Sequence, residues 1–443
     1  MAPAPTASAD TIFAPATAPG RAAIAVIRVS GDRAGAAVAA LAGSLPPARR
    51  ARHMRLRDPA SGEPLDDCVV LWFPGPHSVT GEDVAELQLH GSRAVVAAVG
   101  AALAGLGLRL AEPGEFTRRA FFNGKLDLVQ AEAIADLVAA ETEAQRRQAR
   151  RQLDGALGAL YRGWSDRLRR ALAHLEAAID FPDEDLPPEL AAAVAAAGRA
   201  LAAEIAAHLA DDRRGERLRD GIAIAIIGPP NAGKSSLFNR LAQREAAITS
   251  PVAGTTRDVI EVALDLAGYP VVLADTAGLR ESGDAIEQEG LRRALARAEA
   301  ADLRLYVFEA GRPADALGVC SLPPGRTLVV ANKIDLDHQR SALPPGAIAV
   351  SAATGEGLDD LVRSLSAIVA ADYDAAAPLL TRARHRAALE EALAALVRAP
   401  GAPLPELVAE DLRLAWRCLG RITGTVDVED LLDVIFADFC IGK

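Results

Sequence analysis

The stretch Gly228-Pro229-Pro230-Asn231-Ala232-Gly233-Lys234-Ser235 follows a continuous apolar run at 222–227 and decides the fold of the central part of the chain. Such a run is typical of a strand buried in a parallel sheet. Glycines after the strand let backbone N–H groups turn toward phosphates at the start of the next helix. Lys234 is expected to reach the β- and γ-phosphates, and the Ser235 hydroxyl is expected to ligate Mg²⁺. The stretch predicts a phosphate-binding loop in an α/β domain.

Polar motifs follow further predicted strands at 271–274, 303–308 and 327–331. After the last of them, Asn332-Lys333-Ile334-Asp335 places a carboxylate that accepts two hydrogen bonds from guanine, from the ring N–H and the exocyclic amine. Adenine lacks that face, and an unmade pair in a buried site is costly, so the motif favours GTP over ATP. Ser351-Ala352, after a short strand, are expected to offer a backbone N–H to the guanine carbonyl.

The elements that would act on the γ-phosphate lie between these motifs. Asp275-Thr276-Ala277-Gly278 is expected to hold Mg²⁺ through water and to contact the γ-phosphate through the Gly278 N–H. Thr255-Thr256 stand where a hydroxyl is needed for Mg²⁺. In order and spacing these motifs resemble those of the translation-factor-like GTPases. Leu279 occupies the place of the water-orienting Gln of small signalling GTPases, so another group must position the water.

Composition places the chain among ordinary globular proteins. The 443 residues are 50% hydrophobic and 24% charged, with a net charge of −11, which argues mildly against a broad nucleic-acid-binding surface. The cysteines show no paired spacing, which favours free thiols in a reducing compartment (Cys68, Cys320, Cys418 and Cys440). We expect a cytoplasmic protein with no signal peptide and no membrane span. Only four of the 48 basic residues are lysines (Lys125, Lys234, Lys333 and Lys443), and all four fall in the motifs discussed here.

The pattern along the chain predicts several domains. Residues 1–122 read as an α+β domain, 123–219 as helical, 220–372 as an inserted GTPase domain with a mostly parallel, doubly wound sheet, and 373–443 as the second part of the helical bundle. Predicted helices lie near 32–42, 92–105, 381–398, 405–420 and 427–437, and a long helix is predicted to end near Arg219.

The whole chain resembles the MnmE (TrmE) family of tRNA-modification GTPases. The resemblance is carried by the loop at 228–236, Ala253-Gly254-Thr255-Thr256-Arg257-Asp258, Asp275-Thr276-Ala277-Gly278-Leu279-Arg280 and the C-terminal Phe439-Cys440-Ile441-Gly442-Lys443. Further matches are Leu71-Trp72-Phe73-Pro74-Gly75-Pro76 and Pro113-Gly114-Glu115-Phe116.

The resemblance implies a homodimer that works with the flavoprotein MnmG (GidA), which carries FAD, in a heterotetramer. Together they would modify carbon-5 of the wobble uridine of certain tRNAs with a tetrahydrofolate one-carbon derivative. GTP hydrolysis would be activated by G-domain dimerisation and K⁺, which supplies positive charge in place of an arginine finger. The implied K⁺ ligands are Asn231, Ser250, Val252 and Thr255, although relatives often carry Thr-Asp-Ile where this chain has Ser250-Pro251-Val252.

The implied site residues follow from motif position. Glu287 would activate the water, with Glu281 an open alternative, and Arg280 and Asn231 would assist. Ser235 and Thr256 would bind Mg²⁺. The GTP contacts would be Asn231, Ala232, Gly233, Lys234, Ser235, Ser236, Ser250, Pro251, Val252, Ala253, Gly254, Thr255, Thr256, Asp275, Thr276, Ala277, Gly278, Asn332, Lys333, Asp335, Ser351 and Ala352.

The implied folate contacts are Arg28, Glu86, Lys125 and Lys443. A carboxylate suits the donor edge of the pterin, and cations suit the folate carboxylates. Without the resemblance, Arg28 and Glu86 would be read as an ordinary solvated charge pair. Cys440 is either a thiolate at this site or an inert packed thiol. The arginines at 49–57 and Arg382, Arg384 and Arg386 are open to tRNA contact, but such runs are more often solvated faces.

Two other functions compete with this interpretation. One is a ribosome-assembly GTPase that acts as a switch without modification chemistry, although no appended RNA-binding module is apparent. The other is a stand-alone folate-dependent one-carbon transferase regulated by GTP.

Overall fold

The computed structural model describes residues 10–180, 190–244, 261–275, 301–311, 326–336, 343–373, 380–426, 429–437 and 439–442. The chain divides into two compact units. The first comprises Met1–Ala135, Gln152–Ala202 and Ala388–Lys443, and the second comprises Asp136–Arg151 and Ala203–Ala387. The four segment boundaries expected from the sequence stay a prediction.

The first unit contains a mixed six-stranded sheet. Its strands are β1 (Ile12–Pro15), β2 (Ile24–Ser30), β3 (Arg52–Arg57), β4 (Pro64–Phe73), β5 (Val84–His90) and β6 (Arg109–Leu110). They lie in the order β3-β4-β5-β2-β1-β6, antiparallel except for the β1–β6 pair. The helices Ala34–Ala42 and Arg93–Gly105 bury Leu41, Val99 and Leu103 against this sheet. This confirms the α+β interpretation.

Helices make up the rest of the first unit. The α-helices that fall in it wholly or in part are Glu115–Phe122, Leu128–Ala139, Glu143–Leu153, Ala156–Asp180, Leu190–Leu209, Ala383–Arg398, Pro405–Thr423 and Glu429–Ala437. Ala156–Asp180 and Pro405–Thr423 pack against each other, the first burying Tyr161 and Leu168 and the second Leu412 and Cys418. Helices that precede and follow the inserted sheet thus share one bundle, as predicted.

The second unit contains the other six-stranded sheet. Its strands are β7 (Ile222–Ile227), β8 (Glu261–Leu266), β9 (Tyr269–Asp275), β10 (Leu303–Glu309), β11 (Thr327–Asn332) and β12 (Ile348–Ala349). The order is β12-β11-β10-β7-β9-β8, parallel except for the β8–β9 pair. The helices Glu143–Leu153, Arg214–Asp220, Lys234–Arg244 and Leu358–Tyr373 also belong to this unit. The predicted inserted α/β domain with a mostly parallel sheet is confirmed.

The prediction of one long helix ending near Arg219 is wrong. One helix ends at Leu209, and the helix Arg214–Asp220 begins after a turn in which Asp212 and Arg213 have φ of 53° and 55°. The carboxylate of Asp211 accepts a hydrogen bond from the Arg213 N–H at 3.0 Å, which favours a turn over a continuing helix.

One described stretch, Ala192–Asp220, has the length and apolar composition of a membrane-crossing helix. A single helix of this kind is weak evidence for a membrane span, and this stretch is interrupted by the turn at Asp212 and Arg213.

Candidate functional site

The loop between β7 and the helix Lys234–Arg244 approaches β10 and the last residue of β11 so closely that two of its residues must be glycine. A Cβ on Gly228 would lie 2.0 Å from the Val307 carbonyl oxygen, and one on Gly233 would lie 2.3 Å from Nδ2 of Asn332. Both residues have positive φ, 142° and 86°. The glycines place the loop at the carboxyl ends of β7, β10 and β11.

Asn332, the last residue of β11, braces this loop. Its side chain is almost completely buried, its Nδ2 donates to the Ala232 carbonyl at 2.9 Å, and its Oδ1 accepts from the Ala352 N–H at 3.0 Å. The phosphate-binding loop and the turn at 351–352 are thus held by one amide. The sequence motif predicted Asn332 as a GTP contact but did not reveal this bracing role, because its partner Ala232 is 100 residues away.

The carboxylate of Asp335 is oriented by the completely buried Ser351. The Ser351 hydroxyl donates to Asp335 Oδ1 at 2.6 Å and accepts from the Thr354 N–H at 3.1 Å. Among the described residues, no hydrogen-bond donor reaches the second oxygen of Asp335. The arrangement therefore presents a fixed acceptor, which suits two donors on the edge of a base.

Lys333 and Lys234 have different surroundings. Lys333 has a left-handed backbone (φ 65°), and its Nζ lies 3.2 Å from Oε2 of Glu309 at the end of β10. Lys234 curls back over the loop and donates to the Gly228 and Pro229 carbonyls at 2.9 and 2.8 Å. Both ammonium groups lie at the carboxyl edge of the sheet, where ligands of open α/β sheets bind.

The predicted Mg²⁺ and K⁺ ligands that the structure describes are exposed. Asn231 (φ 60°) lies in the turn that precedes the helix Lys234–Arg244, and Ser235 and Ser236 lie in the first turn of that helix. A serine hydroxyl at a glycine cradle with no room for a Cβ fits Mg²⁺, which takes oxygen ligands and keeps several waters. The backbone of Asp275 pairs with Ile226, so this residue lies at the same sheet edge.

Several predicted contacts lie outside the described residues and stay predictions. They are Ser250, Pro251, Val252, Ala253, Gly254, Thr255, Thr256, Thr276, Ala277, Gly278, Arg280, Glu281, Glu287 and Lys443.

The predicted folate residues of the first unit fall in two places. Arg28 and Glu86 face each other on β2 and β5, joined at 2.8 Å, with side chains only 23% and 22% exposed. The Arg28 guanidinium also lies 5.8 Å from the ring centre of Phe116. Lys125 donates to the Pro76 carbonyl at 2.8 Å. The Arg28–Glu86 pair is therefore not an ordinary solvated pair.

The C-terminal residues lie beside β1, the strand that pairs with the one carrying Arg28. Ile441 forms a bridge with Pro113, and a Cβ on Gly442 would lie 2.2 Å from the Pro15 carbonyl oxygen. Pro15 pairs with Ile27, the neighbour of Arg28. Cys440 is exposed, which favours a thiolate at this site over an inert thiol packed in the core.

Two of the arginines considered for tRNA contact have structural roles. Arg386 is largely buried and pairs with Asp211 at 2.7 Å and Glu216 at 2.8 Å, and Arg382 pairs with Asp136 at 2.7 Å. These cations neutralise buried carboxylates within the second unit.

Comparison with known proteins agrees with this architecture. A family model described as the MnmE helical domain matches residues 128–440, and one described as the N-terminus of the GTP-binding protein TrmE matches residues 11–125. Similar relatives include proteins of Rhodospirillum rubrum (59% identical, covering 98% of this chain and 99% of the relative), Parvibaculum lavamentivorans (59%, 98% and 100%) and Paramagnetospirillum magneticum (60%, 98% and 100%). All three are named tRNA modification GTPase MnmE.

Proposed function

This chain belongs to the MnmE family of tRNA modification GTPases, and we propose that, with a flavoprotein partner, it adds an aminomethyl-type group to the wobble uridine of certain tRNAs. GTP hydrolysis in tRNA modification follows from the family. The carbon-5 chemistry, the folate one-carbon unit, the homodimer, the MnmG-type flavoprotein with its FAD and a cytoplasmic location are parts of the proposal.

The braced acceptor at Asp335 is the observation that carries the guanine-nucleotide part of the proposal. Ser351 holds the carboxylate by one oxygen, and Asn332 ties the neighbouring turn to the phosphate-binding loop. A base must offer two donors to this carboxylate while its phosphates lie in the loop, which guanine does and adenine does not. We assign GTP selection to Asp335 on this basis.

Hydrolysis would depend on cations and on groups beyond this brace. Ser235, with Thr256, would hold Mg²⁺, and the exposed amide of Asn231 is available to K⁺. K⁺ would supply positive charge where the transition state develops negative charge. Glu287, or Glu281, would position the water that Leu279 cannot hold. We expect faster hydrolysis in K⁺ than in Na⁺ of equal concentration, and equal rates would refute the K⁺ role.

Folate binding is proposed for the first unit. A half-buried carboxylate at Glu86, cations at Arg28 and Lys125 and the C-terminal Gly442 beside Pro15 supply both signs of charge within this unit. Burial in a site of lower dielectric strengthens the interaction of such groups with a charged ligand.

Nucleoside analysis of tRNA tests the proposal as a whole. A deletion strain should lack the modified wobble uridine, and the intact gene should restore it only where the flavoprotein partner is present. Restoration without the partner would favour the stand-alone transferase, and normal nucleosides in the deletion strain would favour the ribosome-assembly switch.

A pair of matched variants tests the folate site separately. Glu86→Gln should abolish the modification and leave GTP hydrolysis intact. Asp67→Asn is the control, because Asp67 forms a similar pair with Arg55 on the neighbouring strands at 2.8 Å but is more exposed. Modification by Glu86→Gln at the control level would exclude Glu86 from the reaction.

A further inference from the structure

A buried ionic network surrounds Arg119 on the helix Glu115–Phe122. The Arg119 side chain is 6% exposed, and its guanidinium contacts three carboxylates: Asp10 and Glu115 at 2.9 Å and Glu82 at 3.1 Å. Arg109 shares two of them, reaching Asp10 at 2.8 Å and Glu115 at 2.7 Å, but is 42% exposed. Of the three carboxylates, Glu82 is paired with Arg119 and not with Arg109.

Glu82 belongs to the loop before β5, and this loop is fastened to the same helical segment at three points. Arg119 holds Glu82, the Asn123 amide donates to the Thr80 carbonyl at 2.8 Å, and Lys125 donates to the Pro76 carbonyl at 2.8 Å. All three fasteners lie within seven residues of sequence. The Arg119 contact is the one formed by a buried charge, so it is the most costly to break.

The same network reaches the strand that carries Arg28. Ser30, the last residue of β2, donates to Oε2 of Glu82 at 2.7 Å. One turn before Arg119 on its helix, Phe116 supplies the ring against which the Arg28 guanidinium lies. Arg119 thus connects the Arg28–Glu86 pair on one side with Lys125 on the other.

We infer that Arg119 is a positioning residue of the proposed folate site, setting the distance between the Arg28–Glu86 pair and the Lys125 ammonium. The inference rests on the proposed folate function. A folate carries donors on its pterin and carboxylates at its far end, so a site that binds both ends needs a fixed spacing between its own carboxylate and its cation. The planar fork of arginine bridges three carboxylates, and a lysine ammonium lacks that geometry.

Ligand binding by the full-length protein tests the inference, with 5-formyltetrahydrofolate as the probe and a reduced pterin without the glutamate tail as the fragment. Arg119→Lys keeps the charge and loses the fork. It should raise the Kd of the full ligand about tenfold or more and leave the Kd of the fragment within about twofold, because the fragment does not use the spacing.

Arg109→Gln is the matched control. It removes the cation that shares Asp10 and Glu115 but leaves Glu82 held, so both ligands should bind as in the wild type. Glu82→Gln weakens the same contact from the loop side. It should also raise the Kd of the full ligand and leave the Kd of the fragment nearly unchanged, so it tests the inference even if the Arg119→Lys protein does not fold. GTP hydrolysis should stay unchanged in the variants.

The outcomes separate the inference from the function on which it rests. Equal weakening of ligand and fragment would show a merely structural role and overturn the inference, as would wild-type affinity for both. A wild-type protein that does not bind 5-formyltetrahydrofolate would instead refute the folate site itself.

Discussion

Replacing Gly233 with alanine should weaken guanine-nucleotide binding by disturbing the Asn332 brace. The new methyl group would lie 2.3 Å from Asn332 Nδ2, far inside contact distance. The amide is fully buried and makes hydrogen bonds on both sides, to Ala232 and Ala352, so it has to leave its place and break them.

The magnitude follows from two separate costs. A left-handed backbone costs alanine about 1 kcal/mol or somewhat more. Loss of the two hydrogen bonds adds about 0.5–1.5 kcal/mol each. If nucleotide binds only the braced arrangement, this second part, about 1–3 kcal/mol, appears in the Kd as roughly a 5- to 150-fold weakening.

Gly346→Ala separates these costs experimentally. Gly346 has nearly the same φ, 80° against 86°, but no atom lies within 4 Å of its added Cβ. Titration of a fluorescent GDP analogue should therefore show near-wild-type affinity for Gly346→Ala and weakened affinity for Gly233→Ala.

An Asn332→Ala background provides the second check. Without the amide there is nothing for the methyl group to displace, so Gly233→Ala should cost little more than Gly346→Ala in that background. Equal affinities of the two glycine variants in the wild-type background would refute the reasoning.

Three further predictions concern single side chains. Asp335→Asn should weaken GTP binding by roughly 10²-fold or more, since an amide accepts only one of the two guanine donors, and xanthosine triphosphate should compete better than with the wild type. Burial would raise the pKa of Glu115, but hydrogen bonds from Arg109 and Arg119 outweigh it and lower the pKa below 4.5. The stability difference between wild type and Glu115→Gln should therefore be full above about pH 4.5 and shrink as the pH falls through the lowered pKa, in urea unfolding series. Arg386→Met should lower the free energy of unfolding by about 3–5 kcal/mol, measured by denaturant titration, because it leaves the buried carboxylate of Asp211 without its cation and Glu216 with only the more distant Arg213 at 3.7 Å. An unfolding midpoint equal to that of the wild type would contradict this role.

The sequence by itself predicted the parallel strands of the second unit and the place of the phosphate-binding loop among them. Apolar runs at 222–227, 303–308 and 327–331 became parallel strands, and the loop at 228–235 lies between strand and helix as its glycines require. These features are readable because strand burial, glycine conformation and helix start depend on neighbours within a few residues.

Only the tertiary structure decided how distant groups act on one another. The pairing of Asn332 with Ala232, of Arg386 with Asp211 and of the C-terminal Gly442 with Pro15 joins residues that no local spacing relates. The turn after Leu209 is a case in point, since Asp211 serves both the local turn and a distant arginine. Helical periodicity is a local property of the sequence. The partner of the buried Asp211 carboxylate, Arg386, is brought near only by the folded chain.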